Sequence, residues 1–84
     1  MIRSCIPVRV ISNKKICFRE AADIIDISNR SKSLVKIYKD DKIASTDSII
    51  SLIKIAVQSG NKILVTATGE EPEKTVSEII RFLK

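Results

Sequence analysis

Polar and apolar residues alternate along several stretches of the chain, and this period of two is typical of β-strands with one buried face. Residues 5–11 show the pattern first, ahead of a polar loop. Residues 33–45 show it on both sides of the Asp40-Asp41 pair, which suits a turn between two strands, and residues 62–68 show it again. The alternation therefore predicts one early strand, a central hairpin and a fourth strand.

Between these strands, apolar residues recur three and four positions apart, as they do on one face of a helix. A first helix is predicted from residue 18 or 19 to about residue 29, and a third begins at Pro72. The second follows the capping side chains of Thr46, Asp47 and Ser48, and its residues 49–57 are apolar almost all round. Such a helix is either wholly buried or presents an apolar patch to a partner.

The predicted order β-α-β-β-α-β-α belongs to the α+β class. Four short strands and three one-sided helices fit an open-faced β-sandwich, in which an antiparallel or mixed sheet is covered by helices on one face only. The chain has 84 residues, of which 44% are hydrophobic, and this is enough for one core without disulfides or metal. We therefore expect a single domain over residues 1–84.

Composition and charge narrow the classes of function. No stretch approaches the roughly 18 consecutive apolar residues of a membrane span, and the N-terminal apolar run is too short for a signal peptide, so we expect a cytoplasmic protein. The net charge of +5 is scattered along the chain, which favours acidic or phosphorylated partners. Nucleic acid is not expected, because the aromatic residues that could stack on bases are only Phe18, Tyr38 and Phe82.

The chain contains two cysteines, Cys5 and Cys17, and no histidine. A cytosolic setting keeps thiols reduced, and no Cys-x-x-Cys pair or Cys/His cluster indicates a metal site. We therefore expect no metal and no cofactor, with one thiol in the core and the other in a loop.

Two stretches of the sequence resemble the HPr family, the histidine-containing phosphocarriers of the bacterial sugar phosphotransferase system (PTS). Residues 13–22, NKKICFREAA, are similar to the family's loop and first helix, N-G-L-H-T-R-P-A-A. Residues 42–63, KIASTDSIISLIKIAVQSGNKI, are similar to its serine-containing second helix and the strand after it. The resemblance covers essentially the whole chain and implies the HPr-like open-faced sandwich and a non-enzymatic protein.

In this resemblance Cys17 stands where the family has its phosphorylated histidine, and Arg19 matches the active-site arginine. Glu20 replaces the usual proline, so a carboxylate occupies the first turn of the helix where the family holds phosphate. Histidine phosphotransfer is therefore not expected. Cys17 could act as a substitute phosphocarrier, as a redox-responsive thiol, or only as a thiol tolerated at a vacated site.

Ser48 matches the serine that a dedicated kinase phosphorylates in HPr proteins of Gram-positive bacteria and in a histidine-lacking, catabolite-repression branch of the family. A phosphoserine in the first turn of a helix gains from the helix dipole and free N–H groups, while it changes the surface charge. The resemblance thus implies a regulatory module switched at Ser48. Two features leave this open: serines at helix starts commonly serve only as caps, and the neighbouring Asp47 departs from the family pattern.

The resemblance also implies a docking surface for protein partners. Ile49, Ile50 and Ile53 fall where the family keeps an apolar patch, although isoleucines are more often core residues. Lys14 and Lys15 would extend a basic rim with Arg19, although isolated surface charges usually serve only solvation. The implied partners are an HPr kinase/phosphorylase or a transcription regulator, with a role in an unrelated complex as the alternative. The sequence is compatible with both a monomer and a homodimer.

Overall fold

The computed structural model describes residues 4–84, and within them the side chains of residues 7–84. Its elements follow the predicted order β-α-β-β-α-β-α. The strands are β1 (Ser4–Ile11), β2 (Ser33–Lys39), β3 (Lys42–Ser45) and β4 (Lys62–Gly69). The helices are α1 (Phe18–Arg30), α2 (Ile49–Lys54) and α3 (Pro72–Leu83). The side chain of Cys5 lies outside the described part, so the expectation that one of the two thiols is in the core stays a prediction.

The four strands form one antiparallel sheet in the order β1-β4-β2-β3. Val8, Val65, Ile37 and Ala44 lie side by side across the sheet and face the helices. Because side chains alternate along a strand, the neighbouring row projects from the opposite face. That row contains one residue from each strand: Arg9, Leu64, Tyr38 and Ile43.

The core lies between the sheet and the three helices, as the alternation of apolar residues predicted. Each helix contributes apolar side chains that are almost fully buried, including Ile24 of α1, Leu52 of α2 and Ile79 of α3. The open-faced sandwich is therefore confirmed, with an antiparallel sheet. Along residues 4–84, no helix has the length and apolar character needed to cross a membrane.

Helix α2 is shorter than its apolar sequence predicts, because it ends at Lys54 and not near residue 57. Ile55 and Val57 are buried on either side of the exposed Ala56, which has a left-handed backbone with φ of 55°. The Lys39 ammonium donates a 2.8 Å hydrogen bond to the Ala56 carbonyl. Burial of two alternate residues thus ends the helix where local apolar character would have continued it.

Candidate functional site

The loop that carries Cys17 is tied to the rest of the fold by its backbone. The N–H groups of Ser12, Asn13 and Ile16 donate to carbonyls in the α2–β4 connection and at the end of α3, over 2.9, 2.8 and 3.0 Å. The Ile16 side chain is 2% exposed and joins the core. These contacts fix the point at which α1 begins, so Cys17 is presented from an anchored loop.

Cys17 is the N-cap residue of α1, and its side chain is exposed. Its backbone N–H donates to Oε1 of Glu20 over 3.1 Å, and its carbonyl accepts the N–H of Ala21 over 2.9 Å. Among the described side chains no disulfide involves Cys17. The structure thus confirms the predicted placement of a thiol at the start of the first helix.

Glu20 places a resident anion in the first turn of α1. Its pKa is lowered, chiefly by hydrogen bonds from its own backbone N–H and from that of Cys17, with smaller contributions from the charges of Arg19 and Lys14. The carboxylate therefore accepts N–H groups that an incoming phosphate would otherwise use. A phosphoryl group on Cys17 would have to displace Glu20 or lie beside a like charge.

The predicted basic rim consists of three exposed side chains, Lys14, Lys15 and Arg19. They surround the start of α1, but the Lys14 ammonium lies 4.3 Å from the centre of the Phe82 ring and makes a cation–π contact with α3. Sequence reasoning gave no role to Phe18, which follows Cys17 and is 67% exposed. Aromatic residues and arginine are enriched at protein interfaces, so Phe18 and Arg19 are the residues of this region best suited to contact a partner.

Ser48 is the N-cap of α2 and is half-buried. Its hydroxyl accepts the N–H of Ser51 over 3.3 Å, while the Ser51 hydroxyl donates to the Ser48 carbonyl over 2.7 Å. This reciprocal arrangement explains why serines occupy both positions. It also leaves the Ser48 hydroxyl at the edge of the surface, in the geometry predicted for a capping residue.

The segment before Ser48 is held by buried hydroxyl groups, which sequence reasoning missed. Thr46 was expected to help cap α2, but its Oγ1 instead accepts the Val35 N–H over 3.1 Å and lies 2.9 Å from Oγ of Ser28. The Ser28 hydroxyl in turn contacts the Ser33 carbonyl. Small polar residues on an otherwise apolar helix face were the available signal. They anchor the loop against α1 and β2.

The three isoleucines predicted to form a docking patch differ in exposure. Ile50 is 60% exposed and Ile53 is 37% exposed, whereas Ile49 is partly buried and packs against the core. The apolar surface of α2 therefore consists of Ile50 and Ile53, with Ile49 as its supporting edge. Helices α1 and α2 contact one another, so this surface and the Cys17 loop belong to one layer of the fold.

The described residues contain no group of three or more His, Cys, Asp or Glu side chains placed to hold a metal ion. The arrangement instead offers an anchored loop with an exposed thiol, a basic and aromatic rim, and a short helix with an exposed apolar side and a serine cap. These features are suited to recognition by another protein.

An open-faced sandwich with this loop and capped second helix defines the HPr class of proteins. A family model described as the PTS HPr component phosphorylation site matches residues 6–84. The chain therefore belongs to the HPr family of the phosphotransferase system, and the resemblance in the sequence is confirmed.

Within the family the chain is similar to proteins named HPr-like protein Crh. The one from Halalkalibacterium halodurans is 30% identical over 66 residues, which cover 79% of each chain. The one from Bacillus subtilis is 29% identical over 66 residues, covering 79% of this chain and 78% of its own.

Two solved structures confirm the fold. Phosphocarrier protein HPr from Bacillus anthracis superposes with a TM-score of 0.86 at 23% identity, covering 96% of this chain and 99% of its own. HPr-C-His from Thermoanaerobacter tengcongensis gives a TM-score of 0.76 at 19% identity, covering 95% and 90%.

Proposed function

We propose that this protein is a non-enzymatic regulatory member of the HPr family, which binds protein partners and does not transfer phosphate through a histidine. The observation that carries the proposal is the occupied helix start: Cys17 is the N-cap and Glu20 accepts its N–H at 3.1 Å. The chain contains no histidine at all, so it lacks the imidazole of the family's phosphocarriers. What remains intact is a surface suited to docking.

The docking surface in this proposal joins the exposed Ile50 and Ile53 to the rim of Lys14, Lys15 and Arg19. Exposed isoleucines favour burial against a partner, and the three cations favour a partner surface rich in carboxylates or phosphate. By family resemblance the partners are an HPr kinase/phosphorylase or a transcription regulator.

Ser48 is the proposed switch within this surface. A phosphate added to its hydroxyl would carry a charge of about −1.5 to −2 to the first turn of α2, where N–H groups and the helix dipole favour an anion. The hydroxyl now accepts the Ser51 N–H, and a phosphate oxygen can take over this hydrogen bond. The modification would therefore change docking while the domain stays folded.

Asp47 can act on the Ser48 switch in two opposite ways. It is exposed and adjacent to Ser48, so its carboxylate either opposes phosphorylation by like-charge repulsion or supplies a permanent negative charge in place of phosphate. Asp47→Asn separates the two roles. Faster phosphorylation of the variant supports repulsion, whereas weaker partner binding without any phosphorylation supports the permanent charge.

Intact-mass spectrometry after two separate incubations tests the proposal. An HPr kinase with ATP is expected to add one phosphate, about 80 Da, which is lost in Ser48→Ala and retained when the exposed Ser77 of α3 is replaced in the control Ser77→Ala. Phosphoenolpyruvate with the first PTS enzyme is expected to add nothing. A phosphate in the second incubation that disappears in Cys17→Ala would refute the proposal and make the cysteine a carrier.

A redox-responsive module is the second candidate, and the exposed, unpaired Cys17 thiol is the observation that favours it. Under this alternative, mild peroxide would modify Cys17 and change partner binding in the wild type but not in Cys17→Ser. Modification that leaves binding unchanged would contradict the redox function.

A further inference from the structure

The face of the sheet that the helices do not cover, here called the open face, carries several exposed apolar side chains. Ile11 and Ile43 are 53% and 60% exposed, and Leu34 is 39% exposed. Tyr38 and Leu64, which lie beside each other between Arg9 and Ile43, are partly exposed. This surface lies on the side of the sheet opposite to α2 and the Cys17 loop, so it is separate from the docking surface proposed above.

The strands of the sheet carry cationic residues and no acidic ones. Every acidic residue lies in a helix, turn or loop, whereas all charged residues of the four strands are cationic. They are Arg9, Lys36, Lys39, Lys42 and Lys62. By strand register, Arg9, Lys36 and Lys62 project from the open face. In residues 4–84 the one ion pair joins Arg30 to Asp26, so these three cations have no carboxylate of their own chain within bonding distance.

The apolar and cationic groups meet at a concave site. A cavity of about 580 Å³ opens at one end of the open face, and its walls include Arg9, Ile11, Tyr38, Lys62 and Leu64. A volume in this range accepts large side chains or a small ligand. Its lining contains one acidic residue, Asp40, against the two cations Arg9 and Lys62, so the lining is net cationic.

We propose that the open face docks an acidic amphipathic helix of a partner protein. Strands lie about 4.8 Å apart, so the row from Arg9 to Ile43 is roughly 14 Å wide, which accommodates a helix about 10–12 Å across. Apolar side chains of the helix would enter the cavity and cover Leu64 and Ile43. Carboxylates on its flanks would pair with the open-face cations.

Charge and shape favour this occupant over two others. Two copies of the chain docking through their open faces would bring the same cations together, which opposes that dimer. An anionic membrane would attract the cations, but Tyr38 and Leu64 are partly buried and line the cavity. A helix with protruding apolar side chains reaches the cavity, and a flat bilayer surface does not.

The probe for this proposal is a synthetic 18-residue helical peptide with leucine along one face and glutamate elsewhere; a scrambled peptide of the same composition is its control. Titration into ¹⁵N-labelled protein is expected to shift the amides of residues 9, 11, 38, 62 and 64 saturably, and raised salt should weaken binding. Lys62→Glu should reduce affinity about tenfold or more, whereas Lys74→Glu, at an exposed position of α3, should leave it unchanged. If the charge reversal in Lys62→Glu disturbs the fold, Lys62→Gln takes its place, with a smaller expected loss of affinity for the peptide.

Four results would overturn the proposal. They are equal binding of both peptides, absence of saturable binding, equal loss in the Lys62 and Lys74 variants, and shifts confined to α2 and the Cys17 loop. Binding to phosphatidylglycerol vesicles without binding to the peptide would assign the face to a membrane. Self-association that Ile43→Lys abolishes in sedimentation velocity would assign it to a second copy.

Discussion

Replacing Thr46 by valine tests whether the buried hydroxyl cluster holds the loop that presents Ser48. Thr46 is 7% exposed, and its Oγ1 serves both the Val35 N–H at 3.1 Å and the Ser28 hydroxyl at 2.9 Å. Valine keeps the shape of threonine but makes neither hydrogen bond. The substitution therefore isolates the contribution of the hydroxyl from that of packing.

The expected loss in the free energy of unfolding follows from these contacts. A buried N–H left without an acceptor costs about 1–3 kcal/mol, and the lost bond to Ser28 costs about 1 kcal/mol. The added methyl group returns about 0.8 kcal/mol. The net destabilisation is about 2 kcal/mol, which for a domain of this size lowers the melting temperature by roughly 8–16 °C.

Urea and thermal unfolding followed by circular dichroism measure this loss. Thr66→Val is the matched control, because Thr66 is similarly buried at 8% but the one side-chain hydrogen bond it makes to a described residue, the Lys36 carbonyl, is long at 3.5 Å. Loss of this weak hydrogen bond costs about 1 kcal/mol at most and the added methyl group returns about 0.8 kcal/mol, so the control is expected to stay within about 0.5 kcal/mol of the wild type. Equal stability of the two variants would refute the argument, since the Val35 N–H would then not depend on Thr46.

Gly69→Ala should destabilise the domain by about 2–4 kcal/mol, because φ is 155° and a Cβ atom would approach the Lys32 carbonyl oxygen to 2.6 Å; a loss below 1 kcal/mol in urea unfolding would contradict this. Ala56→Gly should stabilise it by about 1 kcal/mol, because glycine adopts the left-handed conformation without penalty, and an unchanged melting temperature would count against that strain. The lowered pKa of Glu20 means that its ionised form stabilises the fold above the unfolded-state pKa, and that this contribution disappears as the pH falls through the folded-state pKa. NMR titration should place the Glu20 pKa below its ordinary value, and Cys17→Pro, which removes one donor, should raise it; a Glu20 pKa that does not move would contradict the assigned cause.

The sequence predicted the strands and the outer helices well because each has an unmistakable period. The alternation in residues 33–45 and the turn at Asp40-Asp41 gave the observed hairpin, since local pattern and tertiary burial agree there. The end of α2 was wrong because it depends on the burial of Ile55 and Val57 and on a hydrogen bond from distant Lys39. Such contacts are not visible in a local window.

Some features of the candidate site could likewise be predicted from the sequence, and others could not. Resemblance placed Cys17 at the start of α1, and the three-residue spacing to Glu20 is that of a capping box, so the hydrogen bond between them was open to prediction. The roles of Thr46 and Ser28 could not be predicted, because a hydroxyl in a helix or turn has several local uses. Only the packed fold brings the two hydroxyl oxygens to 2.9 Å from each other. The exposure of Phe18 likewise depends on how α1 packs.

Under the proposed function, the resident carboxylate explains how an HPr fold can be kept without phosphate transfer. An empty helix start with free N–H groups attracts anions, and in this chain Glu20 satisfies the Cys17 N–H from within the same helix. That internal bond favours the folded helix while it opposes an incoming phosphate, so the stability of α1 and phosphate binding at Cys17 compete. Under the proposed function, the stability of α1 is kept at the expense of phosphate binding at Cys17. The better site for an added phosphate is then the start of α2, where Ser48 caps the helix and no carboxylate lies in the first turn.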